Sequence, residues 1–122
     1  MSLDEEIAAL RDLILIETKK VEGEVIGMHK LDIADKDLVE EKLAKINGDA
    51  VAMSAHKSSN EVIKLSRENI LESIRFIGGI IRDKTVKGSP FRKRALKSLK
   101  KMRNDARKII TDLDIKYEEE AA

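Results

Sequence analysis

The residues of this chain that are able to carry catalytic or metal chemistry are few and widely spaced. There is no cysteine, and neither His29 nor His56 has a carboxylate or another histidine at metal-ligand spacing on a shared helix face. Asp32, Asp35 and Asp37 resemble the start of a calcium loop, but the glycine and terminal glutamate of such a loop do not follow at the required positions. No nucleotide-binding loop is present, and no serine or threonine has a partnered base. We therefore expect no catalytic residue, no metal, no cofactor and no enzymatic activity.

Charge is the feature that points to binding rather than to catalysis. Residues 84–108 contain eleven lysines or arginines and one acid, a local net charge of +10, although the 122-residue chain has a net charge of +1. The flanking residues 1–83 and 109–122 carry net charges of −5 and −4. Such sorting of charge informs on partners and on self-association, not on fold. The candidate basic surface consists of Arg92, Lys93, Arg94, Lys97, Lys100, Lys101, Arg103, Arg107 and Lys108.

Three interpretations of this basic segment are open. It is a solvated face that complements the acidic remainder of the chain, or a nucleic-acid site that releases counterions from phosphates. Against the second interpretation, Phe91 is the only aromatic ring in the segment, and no recognition-helix motif is present. In the third, the segment is a detachable amphipathic helix that docks on its own bundle or on a partner helix. Binding to a membrane surface ranks last, because the chain has no tryptophan and is nearly neutral.

The composition indicates the kind of fold that must position these residues. Hydrophobic residues make up 42% of the chain, charged residues 39% and aromatic residues 2%, which is typical of a helical bundle or coiled coil with an aliphatic core. A length of 122 residues predicts a single domain. No stretch has the pattern of a signal peptide or a transmembrane segment. Together with the absence of cysteine, this predicts a cytoplasmic location.

Capping patterns predict where the first helices begin. Ser2 opens a capping box at the start of the first helix, and Asp35 is the best candidate for the cap that starts the second. Ser58 and Glu61 repeat the capping-box spacing, which favours a break before a third helix that begins near residue 59. The alternative is one nearly continuous helix over residues 36–83.

A final helix is predicted from Pro90 to Tyr117, after a break at Gly88 and Ser89. The expected organisation is thus an acidic helical bundle over residues 1–83, followed by a basic amphipathic C-terminal helix over 89–117. We expect an all-α fold, an antiparallel, coiled-coil-like bundle of three to four helices. Its last helix either packs on the bundle or is exchanged between subunits. Because an uncovered aliphatic stripe favours aggregation, we also expect a homo-oligomer.

Two stretches resemble the flagellar export chaperones that guard the hook-filament junction proteins. Asp32-Ile33 is similar to an acidic-aliphatic pair of that family, and Glu41-Lys42-Leu43 is similar to the Glu-Lys-containing second helix that follows the pair. Residues 68–77 are similar to its Asn-containing third helix. The resemblance covers about two thirds of the chain. It implies a cytoplasmic, non-enzymatic helper whose mobile C-terminal helix binds a hydrophobic segment of an export substrate. By position in the chain, the implied contact residues are Leu96, Leu99, Met102, Ala106, Ile109 and Leu113.

We therefore expect a protein-binding module, a chaperone or adaptor that captures a helical segment of an export substrate or an assembly component. The alternative is a nucleic-acid-associated protein that uses residues 84–108.

Overall fold

The computed structural model describes the backbone of residues 2–55 and 60–121 and the side chains of residues 2, 4–55 and 61–108. Over these residues the chain forms four helices and no strand: α1 (Leu3–Ile26), α2 (Ile33–Ala55), α3 (Asn60–Lys84) and α4 (Pro90–Ala121). The prediction of an all-α bundle is confirmed. No helix in the described part of the chain is long and apolar enough to cross a lipid bilayer.

The helices form a square in which each contacts two neighbours. Helix α1 contacts α2 and α4, and α3 contacts α2 and α4, whereas no Cα atoms of the described diagonal pairs come within 8 Å of each other. Hydrogen bonds fix the directions: Arg11 and Thr18 of α1 pair with Ser54 and Asn47 of α2, so residue numbers rise on one helix as they fall on the other. Short connections and antiparallel neighbours are the geometry of an up-down-up-down four-helix bundle.

An aliphatic core fills the space between the helices. Each helix turns a stripe at three- and four-residue spacing toward the centre, as the amphipathic pattern requires. The larger of two buried clusters draws on all four helices, and a smaller one lies where α1 begins and α2 ends. Fully buried side chains include Ile14, Val39, Ile46, Ile70, Ile77, Ile81 and Met102.

The two predicted caps near the N-terminus have different outcomes. The Ser2 hydroxyl accepts a hydrogen bond from the Glu5 backbone N–H at 3.2 Å, so α1 begins as predicted. The prediction that Asp35 caps the start of α2 is wrong by three residues, because the cap is Asp32. The Asp32 carboxylate accepts from the Asp35 N–H at 2.7 Å, and the helix begins at Ile33. The Asp32 side chain thus satisfies an N–H that has no partner within the helix, as an N-cap residue does.

Residues 36–83 belong to two helices rather than one. Helix α2 ends at Ala55 and α3 begins at Asn60, close to the predicted start. Ser58, on which that prediction depended, and His56 lie outside the described residues.

The connection from α3 to α4 contains the break that the sequence indicates. Gly88 has a φ of 87°, a conformation that favours glycine, and Pro90 occupies the first helical position, where its missing N–H costs nothing. Helix α4 continues to Ala121, four residues beyond the predicted end at Tyr117.

Candidate partner-binding surface

The apolar stripe of α4 faces the core. Leu99, Met102 and Ala106 are at most 3% exposed and pack in the larger buried cluster with residues of the other helices. Leu96 is half-buried at the edge of that cluster. The side chains of Ile109 and Leu113 lie outside the described residues. Four of the six implied contact residues are therefore brought together, but three of these four are covered as long as α4 stays in place.

The start of α4 is held against the ends of α1 and α3. The Phe91 ring lies directly on Gly27, so close that a Cβ at Gly27 would come within 2.8 Å of three ring atoms. Arg92 donates from Nη1 to the carbonyl oxygens of Arg82 at 3.2 Å and Thr85 at 3.0 Å. A cation bonded to the last carbonyls of a helix complements its dipole. Arg92, which was predicted to belong to the basic surface, thus caps the end of α3.

Ion pairs join α4 to α1. Arg94 Nε lies 2.7 Å from Glu24 Oε1, and Lys101 Nζ lies 3.2 Å from Glu17 Oε1. Lys20 also reaches the Glu17 carboxylate, at 3.3 Å. Glu17 is almost completely buried, and the two lysines that contact its carboxylate make that burial tolerable.

Burial alone would raise the pKa of Glu17, because it disfavours the charged form. Hydrogen bonds from Ser98, Lys101 and Lys20 together outweigh burial, so the pKa of Glu17 is lowered. Asp105 lies on α4 one helical turn after Lys101, and its pKa is shifted in the opposite direction. Burial raises the pKa of Asp105, and the nearby negative charge of Glu17 raises it further. Its Oδ2 atom has no hydrogen-bond partner in the described structure.

An open groove runs along the other side of α4, between α4 and α3. It has a volume of about 490 Å³. Its floor consists of Leu71, Ile74 and Gly78 from α3 and of Leu96 and Leu99 from α4. Leu71 and Leu96 are half-buried and accessible from the groove, whereas Ile74 and Leu99 lie beneath them and are buried. Seven cationic side chains and no acid line the remainder: Arg75, Arg82, Lys93, Lys97, Lys100, Arg103 and Arg107. We call this the α3–α4 groove.

A second groove lies between α1 and α4. It has a volume of about 640 Å³, and Lys19, Lys20 and Gly23 form its α1 side. It contains two acids, Glu17 and Glu24, both paired with cations. The charge of this second groove is therefore partly compensated within the chain.

The predicted basic surface divides between these environments. Five of its nine residues line the α3–α4 groove, Arg94 and Lys101 pair with α1, Arg92 caps α3, and Lys108 is exposed beyond both grooves. Sequence reasoning missed Arg75 and Arg82, which complete the groove from α3. Their seven-residue separation puts them on one face of that helix, but nothing in the sequence indicates that this face borders α4.

The described residues contain no group of three or more histidine, cysteine or acidic side chains that could hold a metal ion. His29 is exposed on the turn after α1.

The arrangement of aliphatic and cationic side chains along α4 is suited to holding an amphipathic ligand.

The chain matches no known family model, no curated protein and no solved structure.

Proposed function

We propose that this protein is a non-enzymatic binding module that captures an amphipathic helical segment of a partner protein, as a chaperone or adaptor does. The observation that carries the proposal is the α3–α4 groove, in which an aliphatic floor is flanked by cationic side chains. A groove between two helices accepts the apolar face of a third helix, whose polar face then remains in water.

The dimensions of the groove suit a helix. The lining extends along α4 from Lys93 to Arg107, about 21 Å at the rise of an α-helix. A partner segment of about 14 residues covers that length.

The alternative, nucleic-acid binding through residues 84–108, has less support in the described geometry. The Phe91 ring lies against Gly27 and is not free to stack on a base. Phosphates need no aliphatic floor, and part of the basic segment is engaged with Glu17 and Glu24. The cationic face of α4 still suffices for weak, salt-sensitive attraction to DNA, so the test includes DNA.

A role in protein export agrees with the resemblance of residues 32–43 and 68–77 to the flagellar junction-protein chaperones. Such a role belongs to the proposal, as does the cytoplasmic location that it implies.

Fluorescence anisotropy with labelled synthetic peptides tests the proposed function. Three peptides of about 14 residues share one apolar stripe at helical spacing and differ in their polar residues, which are acidic, neutral or basic. For each, a scrambled peptide of the same composition lacks the stripe. We expect at least one amphipathic peptide to bind more tightly than its scrambled control. Binding of none, or equal binding of every scrambled control, would overturn the proposal. Tighter binding of duplex DNA, with a steep loss in salt, would favour the alternative.

A further inference from the structure

Among the described residues, the cations of α4 have ion-pair partners on the side that faces α1 and none on the side that faces α3. Toward α1, the chain provides a carboxylate for Arg94 and another for Lys101. Toward α3, none of the seven cations that line the groove forms an ion pair with a described acid. The Nε of Arg103 is shielded from solvent and has no hydrogen-bond partner among the described residues.

The unpaired cations form two banks along the floor of the α3–α4 groove. Five of them follow one another on α4 at intervals of three or four residues, which places them along one side of the helix. Arg75 and Arg82 form the opposite bank on α3, two helical turns apart. Arg82 folds back over Gly78, where its guanidinium would lie about 3.0 Å from a Cβ.

Close like charges repel one another, and a cleft lined by one sign of charge concentrates its field. Seven cations around an aliphatic floor therefore select a ligand that brings both negative charge and apolar surface. Duplex DNA supplies negative charge, but the apolar faces of its bases are covered by stacking.

We infer that the α3–α4 groove is the docking site for an acidic amphipathic helix of a partner protein, and that α4 remains in the bundle when the partner binds. The inference rests on the proposed function and adds to it the acidic chemistry of the partner helix and the retention of α4 in the bundle. The bound helix places aliphatic residues on Leu71 and Leu96 and directs glutamates or aspartates from both edges of its apolar stripe to the two banks. The core residue Met102 stays covered.

Three contacts already hold α4 in place against α1. They are the ion pair between Arg94 and Glu24, the ion pair between Lys101 and the buried Glu17, and the packing of the Phe91 ring on Gly27. Releasing α4 would break all three and would expose the aliphatic stripe. Docking in the groove breaks none of them.

The acidic, neutral and basic peptides test the partner chemistry on the full-length chain. The acidic peptide is expected to bind at least about tenfold more tightly than the neutral one, and the basic peptide not to bind. The double variant Arg75→Glu with Lys100→Glu reverses one charge on each bank and is expected to lose this preference. The control, Lys30→Glu with Lys87→Glu, makes the same change in net charge at exposed sites outside the groove and should bind like the wild type.

A cross-link tests whether α4 stays in place. Because the chain has no cysteine, Glu24→Cys with Arg94→Cys creates a single pair, at positions whose side chains approach to 2.7 Å. Joined by a short bismaleimide, the two helices cannot separate at this end. The bridged protein is expected to bind the acidic peptide as tightly as the unbridged double variant. Loss of binding on bridging would show that α4 must leave the bundle and would overturn the inference.

Failure of the inference differs from failure of the proposed function. Equal binding of acidic and neutral amphipathic peptides, unaffected by the Arg75→Glu and Lys100→Glu changes, overturns the inference and leaves the proposed function standing. No binding of any amphipathic peptide overturns both. Light scattering of the protein without peptide measures its oligomeric state and tests whether a second copy of the chain occupies the groove. A dimer that the groove variant abolishes and the control variant retains would identify a second copy in the groove and would overturn the inference.

Discussion

The same substitution at two glycines of α1, four residues apart, should change the stability of the bundle in opposite directions. Gly23 lies within α1, and a Cβ there would meet nothing within 4 Å. Gly27 caps the end of α1 with a φ of −79°, which any residue adopts, but the Phe91 ring occupies the space of its missing side chain. The need for glycine at position 27 is therefore steric and comes from α4.

The magnitudes follow from these environments. Gly23→Ala removes backbone freedom from the unfolded chain and should raise the free energy of unfolding by about 0.5–1 kcal/mol. Gly27→Ala forces the half-buried Phe91 ring to move, and overpacking of this kind costs about 1–3 kcal/mol. After the gain from replacing glycine, a net loss of up to about 2.5 kcal/mol remains. For a domain of this size, each kcal/mol shifts the melting temperature by about 3–6 °C.

Urea denaturation followed by circular dichroism at 222 nm, a helix signal, measures both changes. A third protein separates the steric cause from any other, because Phe91→Ala empties the space over Gly27. In that background, Gly27→Ala should be neutral or stabilising. If Gly27→Ala stabilises the wild type as much as Gly23→Ala does, or remains equally destabilising without the ring, then Phe91 does not rest on α1 and the placement of α4 is wrong.

Three further changes probe the interior of the bundle. Glu17→Gln removes a buried charge that two lysines contact and should cost about 1–3 kcal/mol at neutral pH. Because the folded-state pKa of Glu17 is lowered, its contribution is present above the ordinary glutamate pKa and lost on acidification, so urea midpoints of the variant should fall less in acid than those of the wild type. Burial raises the pKa of Asp105, so the contribution of Asp105 to stability is lost as the pH rises through that raised pKa. Asp105→Asn should therefore raise the urea midpoint at neutral pH, and a lower midpoint would contradict this. Leu99→Ala should cost about 2–5 kcal/mol and the half-buried Leu96→Ala clearly less; equal losses would contradict the burial of the stripe.

The stripe of α4 shows what the sequence could and could not predict. Its spacing of four and three correctly predicts a helix and the apolar side of that helix. The same periodicity does not tell whether that side is covered by α1 and α3 or by a partner, because both solutions bury the same residues. The structure has Leu99 and Met102 packed within the chain's own core.

The α3–α4 groove was beyond prediction for a related reason. Local charge density identified its α4 bank, since those cations are close in sequence. Arg75 and Arg82 reach the groove only through the antiparallel packing of two helices, which no local pattern encodes. The ion pairs could not be predicted either, because Glu17 and Glu24 lie about 70–85 residues from their partners on α4. The start of α2 was misplaced because three nearby aspartates are similar candidate caps, and only the chain path selects Asp32.

Methyl NMR of leucine-labelled protein, titrated with the acidic amphipathic peptide, tests the central claim most directly. The claim predicts that the methyl signals of Leu71 and Leu96, on the floor of the groove, shift on binding. Those of Leu43, buried away from the groove, and of the isotope-labelled Met102 in the core should stay in place. Large shifts of Met102 with none at Leu71 would show that α4 leaves the bundle to meet its partner and would contradict docking in the groove.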